Sequence, residues 1–355
     1  MECSTQWGLV QAANDFPGRQ ELLVLIGPHE AKAICYPAFT GYCRPGDRVL
    51  LNTTAVNLRL GTGGWHYVLA VDGRERSLSA QRGHIMKLRY TPLQGRVLSV
   101  EEEASPHHEI MAQADSLHGL PVAVGSLHSM LGPLAWLTAH YAPGRRLVYL
   151  MSDGAALPLG FSQTVTALKQ EGLLAATITF GHAFGGDLEA VNIYSALLAA
   201  KHVVQADLAV VLMGPGVVGT GTTWGTTAME QGIFLNAVLQ LQGIPVAIPR
   251  LSESESRSRH LGLSHHTQTV FRRVVQAPVW LPLPTSFQQL SNWTEQLKGL
   301  RHRIVWEETG EAYEQLLAAD LPFSTMGRGP KEDPLFFHGV AAAALLLSRL
   351  REGRV

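Results

Sequence analysis

Residues 208–225 read LAVVLMGPGVVGTGTTWG, an uninterrupted apolar run followed at once by a loop rich in glycine and threonine. Such a run is typical of a strand buried on both faces, as in parallel sheets. Similar runs occur at Pro121–Val124, 147–151, Ala176–Phe180 and 245–249. Stretches long enough for helices lie between them, at 130–140, 161–170, 188–204 and 226–242. Strands that alternate with helices predict a Rossmann-like α/β domain with a mostly parallel, doubly wound sheet.

The first hundred residues have a different pattern. Short apolar or alternating runs are separated by turn sequences such as Pro45-Gly46-Asp47. These runs occupy 21–26, 31–36, Arg48–Asn52, 55–60 and Trp65–Val71. Short strands at regular spacing predict a small barrel or sandwich. The predicted domains are therefore a β-rich barrel or sandwich at 1–110 and a Rossmann-like α/β domain at 111–355.

The composition limits the classes of function. Hydrophobic residues make up 46% of the 355-residue chain and charged residues 16%, whereas about 25% is usual for charged residues in soluble domains. Low charge and helices rich in Ala and Leu predict a homo-oligomer. A net charge of −1 argues against nucleic acid and anionic membranes as partners. The sequence shows neither a signal-peptide pattern nor an apolar run near the roughly 20 residues of a membrane span, so we expect a cytoplasmic protein.

Polar loops follow the strands of the predicted sheet. Asp153 comes after the second strand and His182 after the third, and the segment after the fifth ends in His265, His266 and Thr267. Because parallel strands place their carboxyl ends at one edge, where ligands bind, we expect these residues to line one crevice. Asp153 and His182 are the candidate catalytic residues, since a carboxylate or an imidazole can transfer a proton.

The loop at 214–225 is the candidate anion-binding element. Its first residues match G-x-G-x-x-G, but an opening helix and a correctly spaced acidic residue are missing, as is the lysine of a Walker motif. Flexible amides and threonine hydroxyls would still suit an anion. The alternative is a glycine-rich turn that allows close helix packing. The loop residues assigned to ligand binding are Gly214, Gly216, Gly219, Thr220, Gly221 and Thr222.

Arg328 lies between two glycines and is assigned to the same ligand. A guanidinium presented in this way can clamp a carboxylate or phosphate, and the alternative is an exposed loop arginine. We assign no metal ligand, because no HExxH or similarly tight spacing occurs. The sequence indicates no particular cofactor.

Several long segments resemble the bacterial domain-of-unknown-function family 3866. They are NTTAVNLRLGTGGWHYV (52–68), YLMSDGAALPLGFSQTV (149–165), KHVVQADLAVVLMGPGVVGTGTTWGTTAMEQG (201–232), GLSHHTQT (262–269) and STMGRGPKEDPLFFHG (324–339). The resemblance implies a bacterial origin and a shared architecture. It assigns no reaction and no catalytic residue.

The leading hypothesis is an enzyme that binds a small anionic metabolite, such as a phosphorylated one, at the carboxyl edge of the sheet. One alternative is a non-catalytic ligand sensor or assembly protein, which needs the same crevice without a placed acid and base. Another is a metal-dependent hydrolase, which predicts Asp153 and a histidine around one ion. The sequence leaves all three open.

Overall fold

The N-terminal unit contains a closed five-stranded barrel whose alternating apolar residues point into its interior. The computed structural model describes residues 2–60, 63–80 and 82–350, and two units are distinguished: Met1–Arg82 with Leu88–Arg96, and Gly83–Lys87 with Val97–Val355. The barrel strands are β1 (Thr5–Phe16), β2 (Arg19–Ile26), β3 (His29–Cys35), β4 (Arg48–Asn52) and β5 (Trp65–Val71). They lie in the order β1-β2-β3-β5-β4, and β4 pairs back onto β1. The side chains of Val10, Val24, Val49 and Leu51 fill its interior.

Two short helices interrupt the barrel strands, α1 (Pro37–Thr40) and α2 (Thr54–Asn57). The strand predicted at 55–60 is therefore wrong. The Asn52 side chain accepts the N–H of Thr54. The backbone N–H of Asn57 donates to the carbonyl of Thr53, and the side-chain amide of Asn57 donates to the Thr53 hydroxyl. Such local side-chain bonds favour a helical turn over an extended strand.

The second unit contains an eight-stranded sheet with all neighbouring pairs parallel. After two short strands, β6 (Ile85–Lys87) and β7 (Gly95–Val97), the chain forms β8 (Pro121–Val124), β9 (Leu147–Ser152), β10 (Ala176–Phe180), β11 (Leu188–Ala190), β12 (Leu208–Met213), β13 (Ile244–Ala247), β14 (Leu251–Ser252), β15 (Gly262–Leu263), β16 (Trp280–Pro284) and β17 (Arg303–Glu307). The sheet order is β11-β10-β9-β12-β8-β13-β16-β17, while β14 and β15 form a separate antiparallel pair.

Helices cover both faces of this sheet. They are α3 (His108–Gln113), α4 (Leu131–Tyr141), α5 (Gln163–Gln170), α6 (Ile193–His202), α7 (Glu230–Gln240), α8 (His265–Thr269), α9 (Trp293–Leu297), α10 (Gly310–Leu317) and α11 (Pro334–Arg349). In β8, Val122 and Val124 belong to the core that contains α6 and α7, whereas Ala123 belongs to the core that contains α4 and α11. No helix within the described ranges is long and apolar enough to cross a membrane.

The structure confirms a mixed α/β protein with a β-rich N-terminal region. The finer Rossmann-like description is not confirmed. A Rossmann sheet has the strand order 3-2-1-4-5-6, whereas here β12 lies between β8 and β9, the first two strands of the sheet.

The helix predicted at 188–204 begins late. Its first residues form β11, which pairs in parallel with β10 at the edge of the sheet. The Asn192 side chain then accepts the N–H groups of Tyr194 and Ser195, in a capping box that starts α6 at Ile193. The stretch predicted as one helix is therefore a strand followed by a helix, and the N-cap residue Asn192 marks the boundary.

Gly232 of α7 allows close packing, and replacing it with alanine tests this. An ideal Cβ there would lie 2.6 Å from Val274 Cγ1, and a β-branched side chain has little freedom to move away. We expect Gly232→Ala to lower the free energy of unfolding by roughly 1–3 kcal/mol, measured by urea denaturation. The control is Gly310→Ala in α10, where nothing lies within 4 Å of the added methyl group. Equal stability of the two variants would contradict the packing argument.

Candidate functional site

The two candidate catalytic residues are neighbours at the carboxyl edge of the sheet. Asp153 follows β9, and its Oδ2 accepts the backbone N–H of His182, which follows β10, at 2.8 Å. Gly181 makes this approach possible, since it has φ +65° and an ideal Cβ there would lie 2.7 Å from Asp153 Cγ. Only glycine fits such a position without strain. The Asp153 carboxylate is therefore positioned by the main chain of the next strand loop.

Sequence reasoning missed Glu230, which lies beside Asp153. Glu230 opens α7, and its Oε2 accepts the Ser152 hydroxyl at 2.7 Å. Burial raises the pKa of Glu230, the Ser152 hydrogen bond lowers it, and the charge of Asp153 raises it further. The feature of the sequence that could have identified Glu230 is its position as an acidic residue in the first turn of the helix after the glycine-rich loop.

A buried ion pair lies near Asp153. Lys87 Nζ is 3.3 Å from Glu189 Oε2, and the side chain of Lys87 is 3% exposed. Burial lowers the pKa of Lys87, an effect opposed by the nearby charges of Glu189 and Asp153. Glu189 lies on β11, inside a stretch that the sequence pattern assigned to a helix, so the pair could not be recognised beforehand.

The loop at 214–225 forms a short hairpin, and several of its backbone and hydroxyl groups are hydrogen-bonded to one another or to Thr227. Thr220 donates its N–H to the carbonyl of Gly225 at 2.8 Å, and Val218 donates its N–H to the Thr227 hydroxyl at 3.1 Å. The hydroxyls of Thr220 and Thr222 are 2.9 Å apart. The backbone amides of Val218 and Thr220 are thus already hydrogen-bonded to Thr227 and Gly225.

The two ends of this hairpin contact different parts of the edge. Near its start, the carbonyl of Pro215 accepts the N–H of Ala156, three residues after Asp153. Further along, an ideal Cβ on Gly219 would lie 2.9 Å from His266 Cε1. Gly216 and Gly221 have φ of +105° and +81°, which glycine adopts freely. The hairpin therefore links the Asp153 region to the histidines after β15.

Those histidines form a cluster of three. His265 and His266 begin α8, and His260 joins them from the turn before β15. One ring nitrogen from each lies within 4.8 Å of the others, and His260 and His266 are 2% and 4% exposed. Thr267, also predicted at the site, is buried next to them with no hydrogen-bond partner for its hydroxyl among the described residues. Sequence reasoning named His265 and His266 but missed His260.

The histidine cluster is neutral near neutral pH. Burial, followed by the charge of Arg250, lowers the pKa of His260 to about 3. Burial and the neighbouring His265 lower that of His266 to about 4. His265 Nε2 and both ring nitrogens of His266 are buried without a hydrogen-bond partner among the described residues. An unsatisfied buried polar atom costs roughly 1–3 kcal/mol, so this arrangement calls for a further partner.

Arginines surround the cluster, and most are paired with two buried carboxylates. Glu255 Oε2 lies 3.4 Å from Arg250, 3.1 Å from Arg257 and 3.7 Å from Arg328, and Asp333 lies 3.2 Å from Arg328. The hydrogen bond from Arg257 and the other positive charges lower the pKa of Glu255 to about 2, despite its burial. These contacts anchor Arg328 and the segment at 251–262.

Arg259 is different. It is exposed, and it makes no hydrogen bond or ion pair with any residue in the described ranges. Its guanidinium would lie 3.6 Å from an ideal Cβ on Gly221, at the tip of the hairpin. It also lowers the pKa values of His265 and His266, so it lies close enough to the cluster to act on it electrostatically.

His128 is another residue that sequence reasoning did not select. It follows β8, and its Nε2 is 2.7 Å from the Ser162 hydroxyl, while Nδ1 is 3.3 Å from both Tyr149 Oη and the Met213 carbonyl. Burial lowers the pKa of His128 to about 4. It joins the loops after β8, β9 and β12 as a neutral hydrogen-bonding group.

Comparison with known families identifies the chain. The family described as "Protein of unknown function (DUF3866)" matches residues 32–344. The chain belongs to the DUF3866 family. Comparisons with curated proteins and with solved structures found no match.

The carboxyl edge of this DUF3866 protein therefore holds two clusters with different chemistry. The carboxyl groups of Asp153 and Glu230 differ in environment, so they suit proton transfer. The neutral imidazoles of His260, His265 and His266 suit a metal ion, and the exposed guanidinium of Arg259 suits an anion.

Acidification should destabilise this DUF3866 protein through His128. Between pH 6.5 and 4 the unfolded chain binds a proton at this histidine and the folded chain does not, so the free energy of unfolding falls as pH falls. The shift from 6.5 to about 4 corresponds to about 3 kcal/mol.

Urea denaturation at several pH values tests this. The wild-type protein should lose about 3 kcal/mol more stability between pH 7 and pH 4 than His128→Gln does. His140→Gln, which replaces an exposed histidine of α4, should behave like the wild type. Parallel pH profiles for wild type and His128→Gln would contradict the assignment.

Proposed function

We propose that this protein is an enzyme that binds a small anionic metabolite at the carboxyl edge of the sheet and transfers a proton with Asp153 and Glu230. One observation carries the proposal: a pair of carboxyl groups in different environments lies on the same edge as a guanidinium, that of Arg259, with no partner among the described residues. Parallel α/β sheets bind ligands at this edge. The proposal keeps Asp153 as a catalytic residue and adds Glu230 and Arg259 to the site.

The spacing of the two clusters suits a metabolite-sized ligand. In the sheet order β9-β12-β8-β13, three strand spacings separate β9 from β13, or about 14 Å at 4.7–4.9 Å each. The chain from Gly214 to Gly219 spans at most about 18 Å when extended. A substrate whose anionic group lies near Arg259 would therefore place its other end towards Asp153.

The acid and base roles follow from the environments of the two carboxyl groups. Burial raises the pKa of Glu230, so Glu230 holds its proton to higher pH and acts as the general acid. Asp153 is held at the edge by the main-chain N–H of His182, and we assign it the role of general base. Lys87 and Glu189, the buried ion pair near Asp153, act as positioning residues.

Anion binding should depend on Arg259. Inorganic phosphate is the probe, and its affinity is measured by isothermal titration calorimetry at low ionic strength. We expect Arg259→Ala to weaken phosphate binding by about tenfold or more, which corresponds to at least 1.4 kcal/mol. Arg301→Ala removes another exposed arginine, far along the chain in the loop before β17, and should leave the affinity unchanged. Equal affinities in the two variants would refute a role for Arg259.

Catalysis is tested by following a mixture of anionic metabolites by mass spectrometry. The wild-type protein should consume at least one of them, and Asp153→Asn should reduce that rate by roughly 10²–10⁴-fold, the usual contribution of a general base. Glu230→Gln should also slow the reaction and should change its pH profile. Phosphate binding that depends on Arg259, without any turnover, would instead support a ligand sensor.

A further inference from the structure

The three histidine rings near β15 face one another. The ring centroids of His265 and His266 are 4.0 Å apart, and those of His260 lie 4.9 Å and 5.1 Å from them. The hairpin of β14 and β15 makes this possible, because it returns the chain so that His260 lies beside the first turn of α8. Three imidazoles from two adjoining segments therefore share one space, with His260 and His266 buried and His265 half-buried.

Three ring nitrogens of His265 and His266 lack the hydrogen bonds that buried imidazoles normally make, among the residues described. Both nitrogens of His266 and Nε2 of His265 are buried and have no partner among the described residues. His266 itself is 96% buried, judged from its exposure of 4%. A neutral imidazole offers one lone pair on an unprotonated nitrogen, and a metal ion is the partner that can accept several such pairs at one point.

His260 has the additional contact expected of a metal ligand. Its Nδ1 lies 2.7 Å from the Ser264 hydroxyl, and Ser264 donates its own N–H to the carbonyl of Arg250 at 3.0 Å. Metal-binding histidines usually donate their second ring N–H in this way, which fixes the tautomer and the ring orientation. This contact leaves His260 Nε2 available to an ion.

We propose that His260, His265 and His266 bind one divalent transition-metal ion of the zinc type. Imidazole nitrogens suit Zn²⁺ and its neighbours, whereas Mg²⁺ and Ca²⁺ prefer oxygen ligands. In a tetrahedral zinc site with Zn–N bonds of about 2.0–2.1 Å, ligand nitrogens lie about 3.4 Å apart. Nitrogens that now lie within 4.8 Å of each other reach that spacing by modest side-chain rotation.

The surrounding charges specify the fourth ligand. Arg250 and Arg257 are balanced in part by Glu255, but Arg259 has no such partner among the residues described. A dication next to excess positive charge is favoured only when an anion joins it. Metal and anion should therefore bind cooperatively, each raising the affinity for the other by the same factor. This last step rests on the proposed function, whereas the metal site itself depends only on the histidines.

The test uses the full chain, without a histidine tag and stripped of metal by a chelator. Co²⁺ is titrated by visible absorption and Zn²⁺ by calorimetry. We expect one equivalent of each to bind, with the visible bands of a cobalt ion held by nitrogen ligands. His266→Asn and His265→Asn should each weaken Zn²⁺ binding by roughly 100-fold or more, while His140→Asn should bind like the wild type. Far-UV circular dichroism shows whether the variants are folded.

Three results would overturn the metal site: no stoichiometric Zn²⁺ binding to the wild type, unchanged binding in folded His266→Asn and His265→Asn, or Mg²⁺ binding as tightly as Zn²⁺. If the single variants do not fold, the wild type decides alone, because cobalt bands that lack nitrogen-ligand character would also refute the site. Phosphate titrations with and without Zn²⁺ separate the two proposals. Phosphate binding without any metal binding overturns only the metal site, and metal binding without phosphate binding overturns only the anion site.

Discussion

The common direction of the eight strands is the constraint on which the second unit depends. Central strands such as β8, β9 and β12 are buried on both faces, so their polar backbone groups are satisfied sideways, in the plane of the sheet. Parallel pairing then requires a crossover between successive strands, and the helices that provide it cover both faces. The loops that follow the carboxyl ends of the strands therefore all emerge at the same edge of the sheet. The Asp153 region, the hairpin at 214–225 and the histidine cluster share that edge for this reason.

Burial acts on the two clusters in opposite ways. At Glu230 it favours the protonated carboxyl group, and at His260 and His266 it favours the unprotonated ring. In both cases the neutral form is stabilised, because water is excluded from the charged form. Glu255 keeps its charge despite burial, since the guanidinium groups of three arginines lie 3.1–3.7 Å from its Oε2. The edge thus combines a carboxyl group and imidazoles whose neutral forms are favoured with a fixed ionic network.

The sequence predicted the features that follow from local patterns. The buried strands β8, β10 and β12, the helix α4 and the closeness of Asp153 to the loop of His182 all come from apolar runs followed by polar loops. Tertiary contacts decided the rest. The positions of Glu230 and Glu189 depend on where a helix and a strand begin, and the periodicity of apolar residues does not show those boundaries. His260 lies beside His265 only because the β14–β15 hairpin brings the chain back. The strand order could not be predicted from local sequence patterns either, because it depends on β12 pairing with both β8 and β9.

The position of β12 has a consequence for how the chain assembles. β8 and β9 follow each other in sequence, yet neither pairs with the other, and both pair with β12, which begins more than fifty residues after β9 ends. The centre of the sheet is therefore closed by long-range contacts, which slow folding because a long loop must be closed before they form. During synthesis, β8 and β9 have no shared partner until Met213 has left the ribosome. A chain interrupted before that residue leaves both strands with unpaired edges, the kind of surface that promotes aggregation.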